Sequence, residues 1–155
     1  MKRRYLTLAI ALAVITGWAG ATRAELAAWD QAKVAALAKQ LHTTTRELYD
    51  TFYKQPVPQA GSGQGQDYRR LKQEVRRLQS EARELSDALA KGEGREDTLP
   101  IYENLMEVVR SVRDSSRRVF TTQDVQDKAS AARQVLTQLS PYYDPDAAPL
   151  EPAAR

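Results

Sequence analysis

The chain has 155 residues, with 23 basic and 20 acidic side chains, one histidine, two methionines and no cysteine. The lack of cysteine excludes a disulfide-stapled scaffold, a thiolate metal site and covalent c-type haem attachment. A single histidine also excludes a di-metal centre built from two Glu-x-x-His motifs, and the residue three before His42 is Lys39.

The chain opens with a basic cluster, Lys2, Arg3 and Arg4, then an apolar run from Leu6 to Ile15. Small residues follow, and cleavage after Ala21 or after Ala24 fits the small-x-small pattern. This is the layout of a secretory signal peptide over 1–24, so the protein is expected to be periplasmic or secreted. A membrane span needs about 20 apolar residues, and this run breaks at Thr16, Gly17 and Trp18, so no stable membrane insertion is expected after cleavage. Lys2, Arg3, Arg4 and Arg23 belong to the leader, which holds no acid; the remaining 131 residues carry 19 basic and 20 acidic side chains. The basic balance is therefore a property of the leader, and no global attraction to nucleic acid is left. A chain of that length can bury one continuous core.

The first helix is expected over about 25–54, where Val34, Leu37, Leu41, Leu48 and Phe52 recur at three- and four-residue steps. "QPVPQAGSGQGQ" ends it with two prolines and three glycines. A second helix is expected over 67–90. Its stripe is Tyr68, Leu71, Val75, Leu78, Ala82, Leu85 and Leu89, the coiled-coil-like seam of a helix packed at a shallow angle. After "KGEGRED" a third helix is expected to start with Thr98 as N-cap and Pro100 in the first turn, burying Ile101, Leu105, Val108, Val112 and Val119. Val125, Ala129, Ala132, Leu136 and Leu139 point roughly 130° away from that stripe if the helix runs on at about 100° per residue. A turn near Phe120, with Thr121 as N-cap and Asp124 closing a capping box, resolves the conflict and starts a fourth helix.

The fold expected is all-α, an up-and-down four-helix bundle over 25–140; the rival is a three-helix arrangement with a long bent third helix. Residues 141–155 carry four prolines and read as a mobile tail, with Tyr142 and Tyr143 able to dock back on the bundle.

Bundles of this kind often hold haem or metal between their helices. His42 and Met106 form the only His/Met pair outside the leader, and they make a non-covalent haem b carrier the alternative function. Both point more than about 100° from the apolar stripe of their helix, which favours a surface histidine and a space-filling methionine. The plan is similar to that of exported b-type cytochrome bundles, but no ligand motif carries over. Stress-induced periplasmic helical chaperones carry Leu-Thr-x-x-Gln; the nearest match, Leu136-Thr137-Gln138-Leu139-Ser140, ends in serine.

No catalytic residue is assigned. His42 has no nucleophile elbow near it, and "GSGQG" lacks the Lys-Ser/Thr of a phosphate-binding loop. The arginine pairs Arg69-Arg70, Arg76-Arg77 and Arg117-Arg118 stand among acids and read as solvated helix faces. The function expected is a non-catalytic binding, adaptor or scaffold module that uses a helix surface and has no cofactor. It would engage a protein partner or another copy of itself, with no nucleic acid. Its candidate contacts are Trp29, Tyr49, Tyr53 and Tyr102, aromatics at or beyond the edges of the stripes.

Overall fold

A computed structural model of the chain describes residues 25–55 and 64–145. The expected signal peptide at 1–24, the connection at 56–63 and the expected tail from 146 onward lie outside those residues. The described residues form four helices: α1 (Gln31–Lys54), α2 (Gln64–Ala90), α3 (Arg95–Ser116) and α4 (Gln123–Leu139). A single 3-10 turn, Ser140–Tyr142, follows α4, and there is no strand among the described residues. The chain is all-α and its helices pack as a four-helix bundle, with α3 and α4 separate.

Local chemistry sets where the helices begin and end. α1 starts six residues later than its apolar pattern suggests, because the Asp30 side chain accepts from the Lys33 N–H at 3.1 Å and caps the helix there. Residues 25–30 instead cross the bundle end as a strap. The Ala27 N–H donates to the Pro141 carbonyl at 2.9 Å, and Arg95 Nη2 donates to the Ala27 carbonyl at 2.7 Å. α2 ends in a Schellman motif: Gly92 takes a φ of +90°, its N–H reaches the Leu89 carbonyl, and the Glu93 N–H reaches that of Ala88. The Gln31 amide then donates to the Leu89 and Glu93 carbonyls, so the start of α1 satisfies the end of α2.

The N-cap of α3 lies four residues before the expected one. Gly94 is the N-cap and its N–H is held by Asp97 at 3.3 Å, while Thr98 is fully buried inside the helix. In α4 the N-cap is Thr122, one residue beyond the one expected, so Asp124 falls at the second helical position and no capping box forms. The Thr122 hydroxyl accepts from the Gln55 side chain, which ties the end of α1 to the start of α4.

These ties, with Arg118 and Asp67 pairing the end of α3 to the start of α2 at 3.4 Å, fix an up-and-down arrangement. α1 packs on α2 and α4, and α2 packs on α3. The core follows most of the expected stripes, with Val34, Leu41, Ala82, Leu85, Leu105 and Leu139 fully buried, but Ile101, Val112 and Ala129, expected within it, are only half-buried. Each such leucine contributes about 2 kcal/mol from apolar burial.

One end of the bundle is closed by aromatic rings. Tyr143 stacks on Tyr102 at 4.3 Å and 9°, and Trp29 meets Tyr143 edge-on at 5.6 Å. The Thr98 and Tyr143 hydroxyls are 2.9 Å apart, and Tyr102 donates to Ser140 Oγ at 3.1 Å. Tyr142 and Tyr143 are each only 7% exposed, so the ordered bundle continues past residue 140 and includes both.

Loss of this seal has a defined cost. Tyr143→Ala should destabilise the protein by about 3 kcal/mol, and Tyr143→Phe by about 1 kcal/mol through the lost hydroxyl pair; urea unfolding measures both. Burial raises the Tyr102 and Tyr143 pKa values above that of a free tyrosine. The unfolded chain therefore releases these protons first as pH rises past about 10. The stability these phenols contribute is complete below that pH and is lost as pH climbs through their raised folded values. A chemical-denaturation series from pH 8 to 11.5 should show a decline that Y102F/Y143F lessens.

Candidate functional site: an open cleft between α3 and α4

The two outer helices do not close on each other. Side-chain volume explains why. Near the closed end α3 presents Tyr102 and Leu105, and α4 presents Leu136 and Leu139, large enough to fill the space between the helices. Toward the other end α3 offers Val109, Val112 and Ser116, and α4 offers Ala129, Ser130 and Ala132. Close packing requires the interior to be filled, and these short side chains cannot reach one another.

The result is a cleft of about 670 Å³, within the range of ligand sites. Its floor is formed by buried core residues, Leu48 and Phe52 from α1 and Leu71, Val75 and Leu78 from α2, while Val109, Val112 and Ala129 on the walls are half-buried. The turn from Val119 to Thr121 forms one end, where Phe120 is 86% exposed.

The charged groups of the lining are Arg113 and Arg117 on α3, and Arg133 and Asp127 on α4. Asp127 accepts from the Gln123 amide at 2.8 Å. None of the three arginines makes an ion pair among the described residues. On the outer face of α2, Arg70 pairs with Glu74 at 3.1 Å and Arg83 with Asp87 at 3.5 Å. Arg113 is the clearest case, half-buried beside valines with its Nε inaccessible to water and without a hydrogen-bond partner. A buried polar donor left unpaired costs about 1–3 kcal/mol. The site thus combines an apolar floor, short-chain walls and three arginines that make no ion pair among the described residues.

The aromatics expected as contacts do not share a surface. Trp29 and Tyr102 belong to the closed end, and Tyr102, at 4% exposure, is core instead of a surface contact. Its register places it three before Leu105 and six before Val108, on the buried stripe. Tyr49 and Tyr53 stack on each other at 4.0 Å, with the Lys72 ammonium 4.0 Å from the Tyr53 ring, and lie outside the cleft. His42 sits with its Nε2 3.5 Å from the Gln79 amide nitrogen, in the α1–α2 seam. Met106 is on α3, with α2 packed between its helix and that of His42, so the pair is not brought together. No group of three or more His, Asp or Glu side chains placed to hold a metal occurs among the described residues.

Arg113, Arg117 and Arg133 were hidden in the sequence because residue type along a chain does not say which arginines end beside a gap between two helices. The signal that does exist is the run of short residues "KASAAR", 128–133, opposite "VVRSV", 108–112, where a bundle core normally carries leucine. The chain matches no family model, no curated protein and no solved structure.

If the Arg113 guanidinium is held at a cost to the fold, its removal should be tolerated. Arg113→Met keeps the apolar stem and deletes the unpaired donor. It should leave stability unchanged or raise it by up to about 1 kcal/mol in urea unfolding, unlike the loss expected for a structural arginine.

Proposed function

We propose that this chain is an exported, non-catalytic binding module that engages a protein partner through the open side of its bundle, between α3 and α4. The observation that carries the reading is the cleft itself: half-buried Val109, Val112 and Ala129 line a gap between two walls whose arginines make no ion pair among the described residues. Contiguous apolar surface rimmed by polar groups marks interaction sites.

The mechanism is burial. A partner side chain entering the cleft would displace water from Val109, Val112, Ala129 and the floor, at about 25 cal/mol for each Å² of apolar surface covered. Phe120 at the mouth would supply an aromatic anchor of the kind that dominates binding energy. The rest of the bundle supplies rigidity: α1 and α2 form the floor, and the aromatic seal fixes α3 and α4 at their far ends. Export rests on the leader-like sequence at 1–24. Among the described residues no helix is long and apolar enough to cross a membrane.

Site-specific cross-linking tests the reading. A photo-reactive amino acid at Ser130, in the cleft, should yield a discrete protein adduct in the native host. The same group at Glu84, on the exposed face of α2, should not. Identical patterns from both positions, or no protein adduct at Ser130, would count against a binding role for the cleft.

A further inference from the structure

The cleft has a shape and a charge pattern that narrow what it takes. We propose that its occupant is an acidic amphipathic helix of a partner protein, lying along the gap as a fifth helix with carboxylates paired to Arg113, Arg117 and Arg133. This inference rests on the binding-module reading and supplies the chemistry of the partner.

Shape comes first. The lining on α4 runs from Gln123 to Leu136, about 20 Å or between three and four helical turns. The gap is an elongated trough, open along its length. Packed helices lie with axes about 8–10 Å apart, and short side chains at the contact permit the closer end of that range. Val112, Ser116, Ala129 and Ser130 provide such walls on both sides. A helix laid between them would restore to α3 and α4 the packing partner that each lacks on this side. A single acyl chain would be better matched by an enclosed tunnel.

Charge comes second. Arg113 and Arg117 stand one turn apart on α3, about 6 Å along its axis. Arg133 lines the cleft from α4, farther from the α3–α4 turn than either. Acids on both edges of an apolar stripe, one pair spaced i,i+4, would meet all three. Guanidinium groups bind carboxylates through two parallel hydrogen bonds, and such pairs strengthen as water leaves the cleft. The Arg113 Nε, unsatisfied in the free protein, gains an acceptor. A second copy of this chain offers no such helix among the described residues, since each of its four helices turns its apolar stripe into its own core.

The test uses defined probes and the purified protein. Fluorescence anisotropy would follow a labelled 14-residue helical peptide with a Leu/Ala stripe flanked by glutamates. A second peptide has lysine at each glutamate position. The wild-type protein should bind the glutamate peptide at least tenfold more tightly than the lysine peptide, with affinity falling as salt is raised. In R113E/R117E/R133E the preference should invert, an outcome that loss of structure cannot mimic. Should that variant misfold, R113Q/R117Q/R133Q should abolish the preference while leaving the circular dichroism spectrum unchanged. Equal affinity for the two peptides, or an unchanged preference in the variants, overturns the proposal. So does displacement of the glutamate peptide by a free fatty acid or by a second copy of the protein. If the peptides fail while Ser130 still cross-links to a protein, only the acidic-helix inference falls; if both fail, the binding-module reading falls with it.

Discussion

The volume available to side chains between α3 and α4 governs this molecule. At one end that space is filled with large residues, and the turn after α4 completes the packing. Tyr102, Tyr142, Tyr143 and Trp29 make a sealed aromatic layer there. At the other end the same two helices carry valine, serine and alanine, and no main-chain adjustment can bring them together without pulling α3 off α2 or α4 off α1. The cleft is the consequence: Phe52, Leu71 and Val75 at its floor are buried, while Val109, Val112 and Ala129 on its walls are only half-buried.

Two kinds of energy are therefore distributed unevenly over the fold. Apolar burial is concentrated in the α1–α2 pair and in the aromatic seal, where hydrogen bonding with Thr98 and donation to Ser140 satisfy the phenols that burial would otherwise penalise. Buried polar atoms without a partner among the described residues are Glu74 Oε2, Arg95 Nε and Arg113 Nε, and the last of these lies in the cleft. Groups that cost stability in the free protein and gain a partner on association are a recurrent mark of binding sites. Outer-face pairs such as Arg70 with Glu74 contribute little to the fold, and their role is solubility.

The arginine-rich composition divides along the same line. Arg117 and Arg118 are adjacent in sequence, yet Arg118 turns outward to Asp67 while Arg117 lines the cleft. A helix separates consecutive side chains by about 100°, so neighbouring residues with identical chemistry meet different surroundings. Chain adjacency to acids says which charges are balanced overall and does not say which guanidinium ends without a partner.

Periodicity alone determined the all-α class, the stripes of α1 and α2, and the separation of α3 from α4, because a stripe repeating every 3.6 residues admits one helical phase and two phases require two helices. Helix starts were less legible. Thr98 has the chemistry of an N-cap, but it is drawn inside by the Tyr143 hydroxyl, while Asp97 reaches back to Gly94. Thr122 has the same chemistry and is held by Gln55 from another helix. Tyr102 looked peripheral in a stripe drawn through Ile101, and became core once the helix start fixed its phase. The candidate site was beyond sequence reasoning for a simpler reason: a cleft is a failure of two distant segments to meet. Only the tertiary structure decides which short residues end opposite one another, and which charges are left facing the space between them.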